Sequence, residues 1–269
     1  MNARTSQNEE IMRTGASTPT TTEIERSVAL AVEEARPVSL VTYFLTDRGE
    51  GMLHAICRAL LEARGRPDLL DIVYTAAKEL ILNGTKANVK RVLFREQGLD
   101  AANEADYRRG MDLFKGELRE ERIAAYRSRF KEYDLPVTAT FYGNPLVLNI
   151  KVKNNFPLLP QEEQRIREKF DRAQSFSSLI DFYTEHADES EGAGLGLTMV
   201  GLLLDESGID KHAFTLYSNP IYGETAARLE IPLSDEYVPK RKRFEIEREE
   251  HDLSSDEFRR RFRVKTSLY

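Results

Sequence analysis

Glu79, Asn83 and Lys86 are separated by four and three residues, a spacing that sets a carboxylate, a carboxamide and an amine on one stripe of a helix turning every 3.6 residues. Such a stripe suits Mg²⁺, water and phosphate. The carboxamide oxygen can ligate a hard cation, the carboxylate can orient or deprotonate an attacking hydroxyl, and the amine offsets phosphate charge. More than a hundred positions downstream, Gly192, Gly194 and Gly196 alternate with Ala193 and Leu195 ahead of an apolar run that ends at Leu204. Glycine there lets backbone N–H groups approach phosphate with no Cβ in the way, at a helix start that favours anions. Either motif alone is a weak signal; together they describe two walls of one nucleotide site.

The elements that must hold these residues follow from periodicity. Leu69, Val73, Ala76, Leu80, Gly84 and Ala87 recur at three- and four-residue intervals, so the stripe lies on a helix that starts near Asp68 and buries one face. Before it, Val38 to Leu45 reads as a strand. Gly51 to Ala63 reads as a helix with Leu53, Ile56, Cys57, Leu60 and Leu61 turned inward. Alternation over Val137 to Phe141 and Leu146 to Val152, about Gly143, Asn144 and Pro145, predicts a β-hairpin. A second hairpin is expected from Phe214 to Ser218 and Ala226 to Ile231. One face of such a sheet must pack on the helices. The fold class is therefore α/β, a two-layer sandwich of a mixed, mainly antiparallel sheet with helices on one face and a helical insertion.

These motifs, in this order, resemble the GHKL superfamily, the Bergerat-type ATP-binding fold of histidine kinases, anti-sigma-factor serine kinases, type II topoisomerases and a class of chaperones. Glu79, Asn83 and Lys86 fit the E-x-x-x-N-x-x-K of its N-box. Val152 to Leu159 falls where histidine kinases carry their first glycine box. Ile166 to Arg172 resembles the phenylalanine box of the lid, Gly192 to Gly196 the second glycine box, and Gly223 to Pro232 the final strand with its adenine-side threonine, Thr225. The resemblance implies ATP and Mg²⁺ as cofactors, with Asn83 on the metal, Glu79 as the catalytic group, and Lys86, Gly192, Gly194, Leu195, Gly196, Asn154 and Thr225 around the nucleotide. The order of strand, helix and N-box helix is closer to the anti-sigma-factor kinases than to a sensor kinase.

The first glycine box is degenerate. Asn154 stands where the family has the adenine-binding Asp, and Phe156 and Leu158 stand where it has glycines. Asn can accept through its carbonyl oxygen but without charge assistance, a difference of about 1 kcal/mol. Two alternatives follow. Either Phe156 plugs a pocket that no longer binds ATP, or the loop has re-formed and nucleotide still binds by its phosphates.

Composition excludes several classes. The chain has 269 residues and a net charge of −6, and its densest basic cluster, Lys240 to Arg243, is followed at once by glutamates, so neither nucleic acid nor a DNA-working topoisomerase is expected. Leu195 to Leu204 is too short to span a bilayer, and no secretory signal opens the sequence, which predicts a cytoplasmic protein with no membrane partner. The single cysteine, Cys57, excludes an internal disulfide and is expected in the core. None of His54, His186, His212 and His251 lies in an acceptor-box pattern, so a phospho-acceptor would belong to another protein.

Residues 1–35 read as a flexible N-terminal segment, polar through residue 22 and with a short helix expected from Glu23 to Glu34. Residues 36–233 read as the ATP-binding domain, with a helical insertion over about 97–136 and a lid over about 156–191, and 234–269 as a charged tail with helix over 255–262. Tyr107, Met111, Phe114, Leu118, Ile123, Tyr126 and Phe130 give the insertion an apolar stripe that either folds back on its own domain or makes a dimer or partner surface. The tail is either a partner-binding arm or a solvated helix. The whole implies a signalling protein that binds ATP and Mg²⁺ and phosphorylates or regulates a protein partner. The alternative is a pseudokinase-type module that sequesters a partner without turnover.

Overall fold

The computed structural model describes residues 10–13, 19–159, 161–164, 166, 195–250 and 257. Its six strands form one open sheet in the order β1-β2-β3-β4-β6-β5. They are β1 (Glu10–Arg13), β2 (Val38–Thr42), β3 (Val137–Asn144), β4 (Val147–Asn154), β5 (Phe214–Asn219) and β6 (Glu224–Pro232). Only β1 and β2 pair parallel; every other pairing is antiparallel. The sheet and its helices make the α/β sandwich expected from the sequence.

Strand β3 buries alternate residues, as a sheet with one face on the core requires, whereas β4 buries all of Val147 to Ile150 before alternating. Val137, Ala139 and Phe141 of β3 oppose Asn154, Val152 and Ile150 of β4, which in turn oppose Thr225, Ala227 and Leu229 of β6. The turn between β3 and β4 is set by Asn144, whose Oδ1 accepts from the N–H groups of Leu146 at 2.9 Å and Val147 at 3.2 Å.

Four helices cover the inner face: α1 (Thr21–Glu33), α2 (Asp47–Ala63), α3 (Leu70–Glu96) and α7 (Leu195–Glu206); most of the expected lid, 156–191, and of the phenylalanine-box segment, 166–172, lies outside the described residues. Thr20 starts α1 with a capping box, its hydroxyl accepting from Glu23 N–H while the Glu23 carboxylate accepts from Thr20 N–H. The sequence places the start of the second helix at Gly51; it begins four residues earlier because Thr46 caps it, accepting from Gly49 N–H at 3.3 Å. Cys57 is fully buried on α2, and burial pushes its thiol pKa up.

The described residues of the N-terminal segment join the sheet and its helices. Glu10–Arg13 forms the edge strand β1, with Met12 in the core, and Ile24, Val28 and Ala31 seat α1 on α2. The four residues of β1 gain their stability from a partner 28 positions away (Met12 opposite Leu40), so no local periodicity announces them.

The insertion folds back on its own domain. It contains α4 (Glu104–Gly116), α5 (Glu120–Ala125) and α6 (Arg127–Glu132). Their Phe114, Ile123 and Phe130, with Leu118, close a second core against Val89, Val92 and Leu93 of α3. Gly110 lets α4 approach the ring of Phe94, which a Cβ would overlap.

Beyond β6 the chain returns across the polar face of the sheet. Glu230, 2% exposed, accepts from Tyr237 Oη at 2.8 Å and from Lys240 N–H at 2.9 Å, and α8 (Lys240–Glu250) follows. The expected helix over 255–262 falls outside the described residues apart from residue 257.

Candidate functional site

The helix α3 carries the polar stripe on the side that meets α7. Glu79 and Asn83, both half-buried, lie one turn apart, and Asn83 Nδ2 donates to Glu79 Oε1 at 3.3 Å. Against them lies the backbone of Gly196. A Cβ on residue 196 would overlap Glu79 Oε1 and come within 2.6 Å of Asn83 Nδ2. Glycine is therefore needed at 196 for a close approach between helices. The structure thus brings Glu79, Asn83 and Gly196 together across 113 positions of sequence, the span from 83 to 196. Lys86 is half-buried one turn along the stripe, and Leu195 opens α7. Gly192 and Gly194 lie outside the described residues.

Asn154 and Thr225 occupy the other side of α3. They are direct partners across β4 and β6, and Ser218 of β5 is Thr225's partner in turn, so the three form one row on the helix-facing side of the sheet. Asn154, 7% exposed, donates from Nδ2 to Gly84 O at 3.0 Å and to Asn88 Oδ1 at 2.7 Å. Asn88, fully buried, donates to Leu135 O at 2.7 Å. Both backbone carbonyls only accept, so they fix the orientation of both carboxamides. That network explains why residue 154 is not an aspartate: two acceptor oxygens would then face Gly84 O and Asn88 Oδ1. Gly84 supports the same contact, since a Cβ there would lie 3.0 Å from Val137 and 3.2 Å from Asn154 Oδ1.

The segment after β4 lies over this row as a strap. Thr225 Oγ1 donates to Phe156 O at 2.8 Å, and Leu158 N–H donates to Ser218 Oγ at 2.9 Å. Arg91, on α3, stacks its guanidinium 4.6 Å from the Phe156 ring centroid and donates to Pro157 O at 2.8 Å. The far end of the strap is pinned by Glu162, 5% exposed, which pairs with Lys90 and, at 2.8 Å, with Arg91, and accepts from Leu159 N–H at 2.9 Å. Burial disfavours the charged carboxylate, but Lys90 and Arg91 outweigh it and hold Glu162 below the usual glutamate range.

A Mg·polyphosphate fits one half of this arrangement better than the other. Around Glu79, Asn83 and Lys86 the donors and acceptors are of the right kinds, and the Gly196 backbone, with no side chain of its own, packs directly against the first two. On the base side, Phe156 O and Leu158 N–H already hold the hydroxyls of Thr225 and Ser218. Among the described residues, no group of three or more His, Cys, Asp and Glu side chains could hold a metal ion.

Sequence reasoning missed Asn88, Lys90, Arg91, Glu162 and Ser218. Lys90 could have been found, since it continues the stripe one turn beyond Lys86, and Ser218 could have been counted opposite Thr225 from the hairpin register. Glu162 has no such signal because both its cationic partners are more than 70 residues away.

Fold and site together define a two-layer α/β sandwich whose long central helix offers an acid, an amide and an amine to a glycine at the start of a second helix. The chain is 33% identical over 202 residues to an uncharacterized protein of Treponema pallidum (strain Nichols), a match covering 75% of this chain and 39% of that protein. The chain thus spans well under half the length of the curated relative it matches. No family model matches it, and no solved structure does. Among the described residues, no helix is long and apolar enough to cross a membrane.

Proposed function

We propose that this is a cytoplasmic signalling protein whose histidine-kinase-like domain binds ATP and Mg²⁺ and phosphorylates or regulates a protein partner. The observation that carries this reading is the seating of Gly196 on Glu79 and Asn83, which puts a residue of the glycine motif in contact with two of the helical stripe. Asn83 would hold the metal through its carboxamide oxygen. Lys86 would offset phosphate charge, and Glu79 would orient or deprotonate the attacking hydroxyl. Bound Mg·ATP supplies a transferable phosphoryl group. Titration calorimetry with Mg·ATP tests the reading: saturable, Mg²⁺-dependent heat lost in Asn83→Ala supports it, and no heat with no thermal shift rejects it.

A second reading is favoured by the hydrogen bonds from Thr225 to Phe156 and from Leu158 to Ser218. With the base side held by the chain's own backbone, the domain would act as a binding module without turnover. Nucleotide binding unaccompanied by phosphate release, unchanged in Glu79→Gln, would favour this second reading.

A further inference from the structure

Residues 155–159 and 161–163 cover the base side of the site with groups that match a base edge in kind. Phe156 O offers an acceptor to the Thr225 hydroxyl, and Leu158 N–H offers a donor to the Ser218 hydroxyl. Adenine presents the same pair, a ring nitrogen acceptor beside an amino donor. The strap is also attached to α3, the helix of Glu79, Asn83 and Lys86, through Glu162 on Lys90 and Arg91 and through Arg91 on the Phe156 ring and Pro157 O.

From these contacts we propose that the strap is an autoinhibitory latch: Glu162, clamped between Lys90 and Arg91, holds Phe156 and Leu158 in the seat of a nucleotide base, and the latch lifts when a polyphosphate draws Lys90 away. The inference rests on the nucleotide-site reading above.

Three features make the latch able to open. Lys90 is four residues beyond Lys86, about 6 Å along the helix axis, so phosphate charge on the stripe competes with Glu162 for the same cation. Phe156 and Leu158 are only half-buried, so lifting them exposes less apolar surface than lifting fully buried side chains would. Asn154 is clamped by α3 independently of the strap and stays in place when it moves. Because the anion exchange occurs on α3 and the base seat lies in the sheet, phosphate arrival is coupled to base access, and the strap selects for ligands that carry both.

The test is calorimetry on the full chain, wild type and Glu162→Ala, with Mg·ATP and with Mg·tripolyphosphate, which lacks a base. Removing the pin should lower the Mg·ATP Kd by at least about tenfold more than it lowers that of Mg·tripolyphosphate, because only ATP gains from an open seat. Equal gains for the two ligands would assign the effect to the freed lysine charge and overturn the latch. Unchanged ATP affinity would also overturn it while leaving the nucleotide site standing, whereas no binding of either ligand by either protein would sink the site itself. Should Glu162→Ala fail to fold, hydrogen exchange in the wild type decides: the Leu158 amide should exchange faster at saturating Mg·ATP, and unaltered protection would overturn the proposal.

Discussion

Gly196 sits against the carboxylate of Glu79, so close that a methyl group at 196 would overlap Oε1. Relief requires either Glu79 to swing away from Asn83 or α7 to move off α3. Gly196→Ala should therefore abolish Mg·ATP binding and destabilise the fold by about 1–3 kcal/mol, the usual range for overpacking. Gly51→Ala is the control. It lies on an exposed position of α2 with nothing within 4 Å, and should stabilise by about 0.5–1 kcal/mol through the greater helix propensity of alanine. Urea denaturation of both variants checks the contrast.

Asn154→Asp restores the residue type of the family resemblance yet should weaken this protein. The carboxylate would replace a donor to Gly84 O and Asn88 Oδ1 with a third acceptor, and an unsatisfied buried group of this kind costs about 1–3 kcal/mol. A double-mutant cycle of Asn154→Ala with Asn88→Ala should be strongly non-additive, since either substitution breaks the shared hydrogen bond. Additive losses in chemical denaturation would show that the two carboxamides do not act as a unit.

Glu162 makes stability depend on pH in a defined direction. Its folded pKa lies below the ordinary glutamate value of about 4.3, so its contribution is present above that value and is lost as pH falls through the lower, folded one. Removing one member of a buried ion pair costs about 3–5 kcal/mol. Glu162→Gln should thus lower Tm at pH 7, and the gap to wild type should narrow steadily as pH drops below about 4. A constant gap across that range in thermal melts would mean that Lys90 and Arg91 do not stabilise the carboxylate.

How much of this was legible in the sequence depended on whether the signal was local. The apolar period from Leu69 to Ala87 located the helix that carries Glu79, Asn83 and Lys86, and alternation over Val137 to Phe141 and Leu146 to Val152 located the hairpin, because both patterns repeat within a few residues. Strand β1 and the pin at Glu162 were not legible, since each depends on partners distant in the chain. Asn154 was read as an acceptor for a base; the structure uses it as a donor to α3, and that role follows from where Gly84 and Asn88 come to rest in three dimensions. His212 illustrates the same limit. Nothing in its neighbourhood suggested a role, yet its Nδ1 lies 2.6 Å from Asp210 and its Nε2 2.8 Å from Glu245 of α8.

That histidine, with Lys242, fastens α8 to the turn before β5. Lys242 Nζ lies 2.5 Å from Asp210 Oδ2, and the 210 carboxylate also accepts from His212 N–H at 2.9 Å. Burial disfavours the charge on Asp210, but Lys242 and His212 more than offset it and hold the pKa down to about 2. The carboxylate therefore contributes fully above its unfolded value of about 3.9 and loses its effect only as pH falls from there toward about 2. Since α8 buries no residue fully, this polar fastening contributes to its attachment, and Asp210→Asn should loosen the helix at neutral pH without unfolding the sheet. Trypsin cleavage within the basic run Lys240 to Arg243 should accelerate about tenfold, in step with a local opening made easier by about 1.4 kcal/mol, while the Tm of the core barely moves. Cleavage at the wild-type rate would show that Tyr237 and the Lys240 amide on Glu230 hold the segment by themselves.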